Sequence, residues 1–490
     1  MSSVKVIVIG AGFSGLSAAS YLAKAGYEVE VYEKLPAAGG RAQVYENQGF
    51  KFDMGPSWYW MPEVFDDYFA DFGHKTADYY KLIRLDPGYR VYFGKEDYID
   101  IRAAWDKIEA TFEAFEPGAG KQLNRFIAEA QQKYEIAFDG FIDKPGISFT
   151  EFLDFKSLTK AVKLDLFASV KKLVAKYFEH PKLRSILEFP VLFLGAMPKD
   201  IPALYTLMNY ADLKLGTWYP MGGMAEIAIA MQKMAEEQGV TFHFNKNVQK
   251  IEVEGSKATG IQVDDAFVPA DVVVGAADYE FVDQQLLPEG FGNYTKQYWN
   301  NRVMAPSALL YYIGLNKKVQ GLEHHNLFFD EDFGTHGKEI YHEPKWPAKP
   351  QMYVSVASRS DASVAPENCD ALVGLIPVAV DLNDTEEVRE RYGNMLIQKM
   401  EQLTGESIAP HVLFMKSYAH KDFISDYNAF KGNAYGLANT LKQTAILKPG
   451  ILNSKLKNLF YTGQLTVPGP GVPPALISGR IVANEIAKRV

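Results

Sequence analysis

Apolar residues enter this chain in recognisable rhythms. Residues 4–9 (VKVIVI) are an almost continuous β-branched run, the pattern of a strand buried on both faces of a parallel sheet. Residues 16–25 (LSAASYLAKA) are strong helix formers, and Gly26 stops them. Glu28–Tyr32 reads as a second strand, ending at Glu33. In the centre, a helix is expected over 225–238 and strands over 240–244 and 248–253, both returning to the first sheet. Residues 270–278 (ADVVVGAAD) read as a further strand and turn. Residues 307–315, 351–357 and 372–380 are apolar strands separated by loops, and would build a second sheet. Residues 105–210 are mostly helical by pattern. At the end, 458–461 is a short buried strand. A helix follows over 475–488, with Leu476, Ile477, Ile481, Val482 and Ile486 at helical spacing.

The length, 490 residues, suggests about three structural units. No run approaches the ~18 apolar residues of a membrane span, and residues 1–9 are too short before Gly10 for a leader peptide. The net charge of −9 argues against a general nucleic-acid binder, whose footprint is basic. The single cysteine, Cys369, excludes an intrachain disulfide, and no metal site is expected: there is no HExxH, and His324 and His325 lack helical ligand spacing. Aromatic residues are 13% of the chain, a rich supply for a long apolar pocket. One stretch departs from the acidic average. Residues 156–176 are rich in lysine, and Leu158, Val162, Leu166, Val170, Leu173 and Tyr177 share a helical stripe flanked by Lys160, Lys163 and Lys172. Such a helix can lie on an anionic membrane surface or pack one face on a core.

Candidate chemistry is concentrated at the two ends. Gly10-Ala11-Gly12-Phe13-Ser14-Gly15 follows the first strand and opens the first helix. Gly10 permits the tight turn, Gly12 lets a pyrophosphate approach the backbone, and Gly15 lets helix and strand pack closely. Glu33 lies 18 residues after Gly15, where a carboxylate can accept from a ribose diol, and Lys34 adjoins it. Gly39-Gly40-Arg41 is a second glycine turn with a cation, which suits the longer dinucleotide FAD. Gly55-Pro56-Ser57 forces another turn, followed by Trp58, Tyr59 and Trp60. Near the C-terminus Thr462-Gly463-Gln464 leads into a Pro/Gly loop that holds Val472 and Pro473 and opens the last helix. Small residues there let a flat ring approach, and the helix N-terminus supplies a positive end.

With these motifs the sequence resembles the flavin-dependent amine oxidases, protoporphyrinogen oxidases and carotenoid desaturases, and is most similar to the bacterial phytoene desaturase type. The resemblance covers both ends and the centre, including 220–253, where a backbone near Val248 would meet the adenine. It implies an α/β fold: a discontinuous Rossmann-like FAD-binding domain (1–75, 215–290 and 450–490), a mixed-sheet substrate domain (76–104 and 291–449) and a helical insertion (105–214) with a candidate membrane-contacting face. The activity implied is removal of a hydride and a proton from an allylic CH–CH unit of phytoene or a later carotene. Oxygen or a quinone would be the electron acceptor, and the setting cytoplasmic and peripheral to a membrane. Trp58, Tyr59 and Trp60 would line the substrate tunnel. Glu151 is the one acid/base candidate, beside a solvated-face alternative. A desaturase of hydroxylated or cyclic carotenoids, a carotenoid isomerase, an amine or porphyrinogen oxidase, and a non-redox isoprenoid escort are the competing readings.

Overall fold

The computed structural model describes residues 4–148, 151 and 168–490. A five-stranded, all-parallel sheet carries the strand order Leu459–Tyr461, Val272–Gly275, Lys5–Ile9, Glu28–Tyr32, Thr241–His243. The β-branched run 6–9 is buried because the sheet is covered on both faces, as a parallel sheet requires: Val6 and Val8 pack with the helix Phe13–Lys24 and its neighbours, and Ile7 and Ile9 pack with the antiparallel strands Val248–Glu254 and Lys257–Val263. The helix Phe13–Lys24 packs against Val472–Arg489 and Ala225–Glu237. Residues from the two ends and the centre of the chain thus meet in one layer, and the carboxyl ends of the strands face a common crevice.

A seven-stranded mixed sheet is the second layer system. Its order is Val412–Tyr418, Ser307–Leu315, Asp370–Val378, Met352–Ser355, His325–Phe328, Tyr89–Gly94, Asp97–Ile101. All pairs are antiparallel except His325–Phe328 beside Tyr89–Gly94. All nine residues of Ser307–Leu315 are buried. The helices Trp105–Phe115, Ala119–Ile136, Val170–Tyr177 and Pro181–Glu188 form the main described part of the helical region.

Two expectations need correction or limitation. The strand Val248–Glu254 does not return to the parallel sheet. It pairs antiparallel with Lys257–Val263, which pairs in turn with Ala266–Pro269, in a separate three-stranded sheet. Its alternation fits either partner, and the two-residue turn at 255–256 makes the hairpin the shorter closure. Most of the basic amphipathic stripe, residues 156–167, lies outside the described residues. In the part that is described, Val170, Leu173 and Val174 are buried and Lys171, Lys172 and Lys176 exposed. That is the pattern of a helix packed on a core. Among the described residues no helix is long and apolar enough to cross a membrane.

Candidate cofactor and substrate site

One continuous cavity of about 440 Å³ runs from the carboxyl ends of the parallel strands to the face of the mixed sheet. Its polar end is built by the first βαβ unit. Gly10 turns the chain at φ 106°, and Gly12 begins the helix with nothing within 4 Å of where a Cβ would sit except the Gly40 Cα at 4.0 Å. Ser14, Gly40 and Lys34 also line this end. The Glu33 carboxylate accepts from Ala11 N at 2.7 Å and Leu35 N at 2.8 Å. Its pKa is nevertheless raised, because burial outweighs those bonds and the charge of Lys34. Lys34 Nζ donates to the Ser425 carbonyl at 2.6 Å.

Arg41 is the buried cation of the cavity. One terminal nitrogen donates to the Asn433 carbonyl at 3.2 Å. With the Gln464 amide turned so that its oxygen faces the guanidinium, both terminal nitrogens reach it at 3.1 and 3.3 Å. The Arg41 Nε is buried and has no partner. Burial pulls the guanidinium pKa down and nearby Asp278 pushes it back. A buried cation with an open donor fits an anionic ligand such as a pyrophosphate, and glycines at 10, 12, 40 and 463 leave room for it. Asp278 also borders the cavity, where its carboxylate caps the next turn by accepting from Glu280 N at 3.1 Å.

Gly55, Pro56, Ser57, Val248, Gly463, Gln464, Val472 and Pro473 line the same cavity. Gly15 does not: a Cβ there would fall 2.0 Å from the Gly10 carbonyl oxygen, so its part is the close packing of helix on strand. Trp58 and Trp60 line the cavity, whereas Tyr59 is turned away and its hydroxyl meets Tyr80 at 2.8 Å. The segment is extended, so alternate side chains face opposite ways, and Tyr59 is a core residue rather than a tunnel wall. Glu151 is likewise displaced from the expected role. It is not part of the cavity, and its carboxylate accepts from the backbone N–H groups of Gly146, Ile147 and Ser148.

The apolar end was not legible as a set. Phe189, Leu327, Phe329, Phe333 and Leu375 build it, with Tyr341, Tyr353 and Tyr435. These come from segments up to 250 residues apart, and no local motif announces them. Asp53 stands just behind this wall and anchors the helix Ala225–Glu237 by accepting from Met224 N at 2.8 Å. Burial pushes its carboxyl up to about 7. A carboxyl whose native pKa lies above its unfolded value makes the native state bind more protons, so its contribution to stability falls as pH rises from about 4 to about 7. Asp53→Asn should therefore gain a few kcal/mol relative to the parent between pH 5 and pH 7.5. Thermal unfolding of the two proteins at both pH values reads this, and equal pH slopes would contradict it.

The parallel-sheet crevice with its glycine turns and buried Arg41 defines a nucleotide-cofactor oxidoreductase. Residues 13–487 match the family described as flavin containing amine oxidoreductase. The chain is 40% identical to a carotenoid 3,4-desaturase of Haloarcula japonica over 100% of its own length and 99% of that protein's. It is 30% identical to a zeta-carotene-forming phytoene desaturase of Myxococcus xanthus, over 98% and 93%. An oxidoreductase from Methanosarcina mazei has a similar fold, at a TM-score of 0.64, 17% identity and coverage of 98% and 100%. The chain belongs to the flavin-containing amine oxidoreductase family, on its carotenoid desaturase branch, and is a flavin-dependent oxidoreductase.

Proposed function

We propose that the protein is an FAD-dependent carotenoid desaturase that introduces a double bond into an acyclic carotenoid, phytoene or a later intermediate. The observation that carries this reading is the single cavity that joins a buried cationic, glycine-lined end to an apolar aromatic end. Glu33 would hold the ribose hydroxyls, Arg41 the pyrophosphate, and Gly12 would admit it to the backbone. Val248 would border the adenine. Gly463, Gln464, Val472 and Pro473 would bound the ring, with the N-terminus of Val472–Arg489 adding a positive end. The flavin supplies the oxidant, taking two electrons and one hydrogen from the substrate.

The chain's own part is to hold a hydrocarbon and keep water out. A long polyene has no polar handle, so its position must come from apolar burial and shape. Trp58 and Trp60 offer aromatic faces to positive charge that develops on the polyene. The substrate has to leave a bilayer, which favours peripheral contact with a membrane. Oxygen or a quinone would reoxidise the cofactor.

The test is reconstitution with FAD in liposomes that carry phytoene, lycopene or a 3,4-dihydro carotenoid, with the longer-wavelength absorbance of a lengthened polyene as readout. A 3,4-desaturation substrate is tried first, given the 40% identical relative of that name. Omitting lipid, oxygen or quinone in turn tests the membrane and acceptor. Oxidation of an amine or porphyrinogen, with no change in any carotenoid, would overturn the proposal.

A further inference from the structure

We propose that Tyr353 accepts the proton that desaturation removes from the substrate, with His325 as the positioning residue that takes up the displaced hydroxyl proton and Ser57 as its way back to the cavity. This rests on the desaturase reading above. The strands His325–Phe328 and Met352–Ser355 run antiparallel, with Leu327 opposite Tyr353 and His325 opposite Ser355. Tyr353 and His325 are therefore diagonal neighbours on one face of the sheet. The Tyr353 hydroxyl lies 2.6 Å from His325 Nδ1 and 2.9 Å from Ser57 Oγ. Tyr353 and Ser57 border the cavity, and His325 is fully buried behind them.

Other polar groups of the apolar end are less suited. His336 uses both ring nitrogens: Nε2 meets the Pro377 carbonyl at 2.9 Å, and Nδ1 accepts from Gln351 N at 3.1 Å. Tyr341 and Tyr435 face the cavity, but neither is hydrogen-bonded to an imidazole among the described residues. Among the described residues, Tyr353 is the one of the three tyrosines with an imidazole nitrogen within hydrogen-bond distance of its hydroxyl.

The proton balance is complete. The C–H bond next to the carbon that loses hydride breaks, and its electron pair becomes the new π bond. The proton goes to the Tyr353 oxygen as the Tyr353 hydroxyl proton passes to the lone pair of Nδ1. The other hydrogen leaves with two electrons as hydride, and the flavin is the oxidant. Burial holds His325 far below its usual pKa, so its imidazole is neutral, and in the tautomer the relay assigns, with the proton on Nε2, Nδ1 has a lone pair to offer. That makes it a weak base. However, a C–H beside a developing allylic cation is a strong acid, and an ionised carboxylate would be costly in so apolar a chamber. The imidazolium formed would face the Trp58 ring, whose centroid is 4.2 Å away at 11° between planes. An aromatic face at that distance stabilises a cation. After turnover the proton returns through Tyr353 to Ser57 and the cavity.

The experiment follows flavin reduction by substrate in single turnovers, in H2O and D2O, for the FAD-loaded parent, Tyr353→Phe and His325→Gln. The last keeps a hydrogen-bonding side chain that cannot carry a proton. Both variants should reduce the flavin about 10²-fold more slowly or worse. Both should lose the solvent isotope effect of the parent, with the flavin spectrum and the substrate dissociation constant unchanged. Tyr353→Phe at the parental rate, or with an undiminished isotope effect, would overturn the relay while leaving the desaturase reading intact. Loss of flavin or of folding in both variants would assign the pair to packing and overturn the relay too. A parent that desaturates no carotenoid would fail the functional reading itself, and the relay with it.

Discussion

Gly15→Ala is expected to abolish the folded protein, while Gly12→Ala should leave it folded and unable to hold its flavin. The two glycines are three residues apart in one turn, yet they face different things. A Cβ at Gly15 would lie 2.0 Å from the Gly10 carbonyl oxygen and 3.1 Å from the Ala276 Cβ. Neither can step aside: the first is backbone held by the hydrogen bond from Gly10 N to Tyr32, and the second follows a central strand. Overpacking of a tight contact costs about 1–3 kcal/mol and more where backbone must move, a large share of a stability of about 5–15 kcal/mol. Gly479 is the mirror case, since a Cβ there would come within 2.4 Å of the Ser14 carbonyl oxygen on the facing helix. By contrast, Gly12 has φ −72°, which alanine adopts freely, and its nearest neighbour would be 4.0 Å away. Its added methyl meets only what enters the cavity. Soluble yield and thermal unfolding read the first effect, and flavin absorbance after desalting reads the second. Gly12→Ala that retains flavin at the parental level would mean that the cofactor backbone does not pass there.

Arg41→Met should lower FAD affinity about 10²-fold or more, a loss of about 3 kcal/mol, with little change in the melting of the flavin-free protein. The asymmetry follows from the pairing. Without an anion the guanidinium has one backbone acceptor, the Gln464 amide and a buried, unpartnered Nε, so burial is poorly compensated. Removal also takes away the charge near Asp278. That carboxylate keeps hydrogen bonds from Glu280 N, Phe430 N and Asn433 Nδ2. A pyrophosphate beside it would offer the guanidinium, whose Nε is open, charge-assisted bonding. Arg41→Lys should recover part of the affinity, because it restores the charge but not the planar fork. FAD titration of the three proteins, with melting curves with and without FAD, measures both halves. An equal loss of stability without FAD would show that Arg41 is structural.

The polar half of the site and the apolar half differ in how they were encoded. The first strand, the glycine turn, the helix and Glu33 lie within one stretch of some thirty residues. Each is specified by local means: β-branched residues, a turn that needs φ above zero at Gly10, helix formers and a stop. The α/β class, the flavin chemistry and the family could therefore be read from the chain. The alternation of Trp58, Tyr59 and Trp60 in an extended segment also carried the information that only two of the three share a face. The strand pattern over 248–253 did not carry its partner, because one alternating strand fits more than one sheet edge.

Sequence by itself determined the parallel-sheet unit, its glycine contacts and the type of cofactor. These rest on backbone sterics and on neighbours close along the chain. Tertiary structure decided the wall of the cavity's apolar end and the Ser57–Tyr353–His325 contact. Tyr353 reaches His325 only through the register of two strands, and Ser57 arrives from a loop about 300 residues earlier. A hydroxyl beside an imidazole at 2.6 Å is a product of that register, and no spacing within the sequence states it. The same holds for Glu151, whose carboxylate is taken up by the backbone N–H groups of residues 146–148 rather than turned to the described cavity.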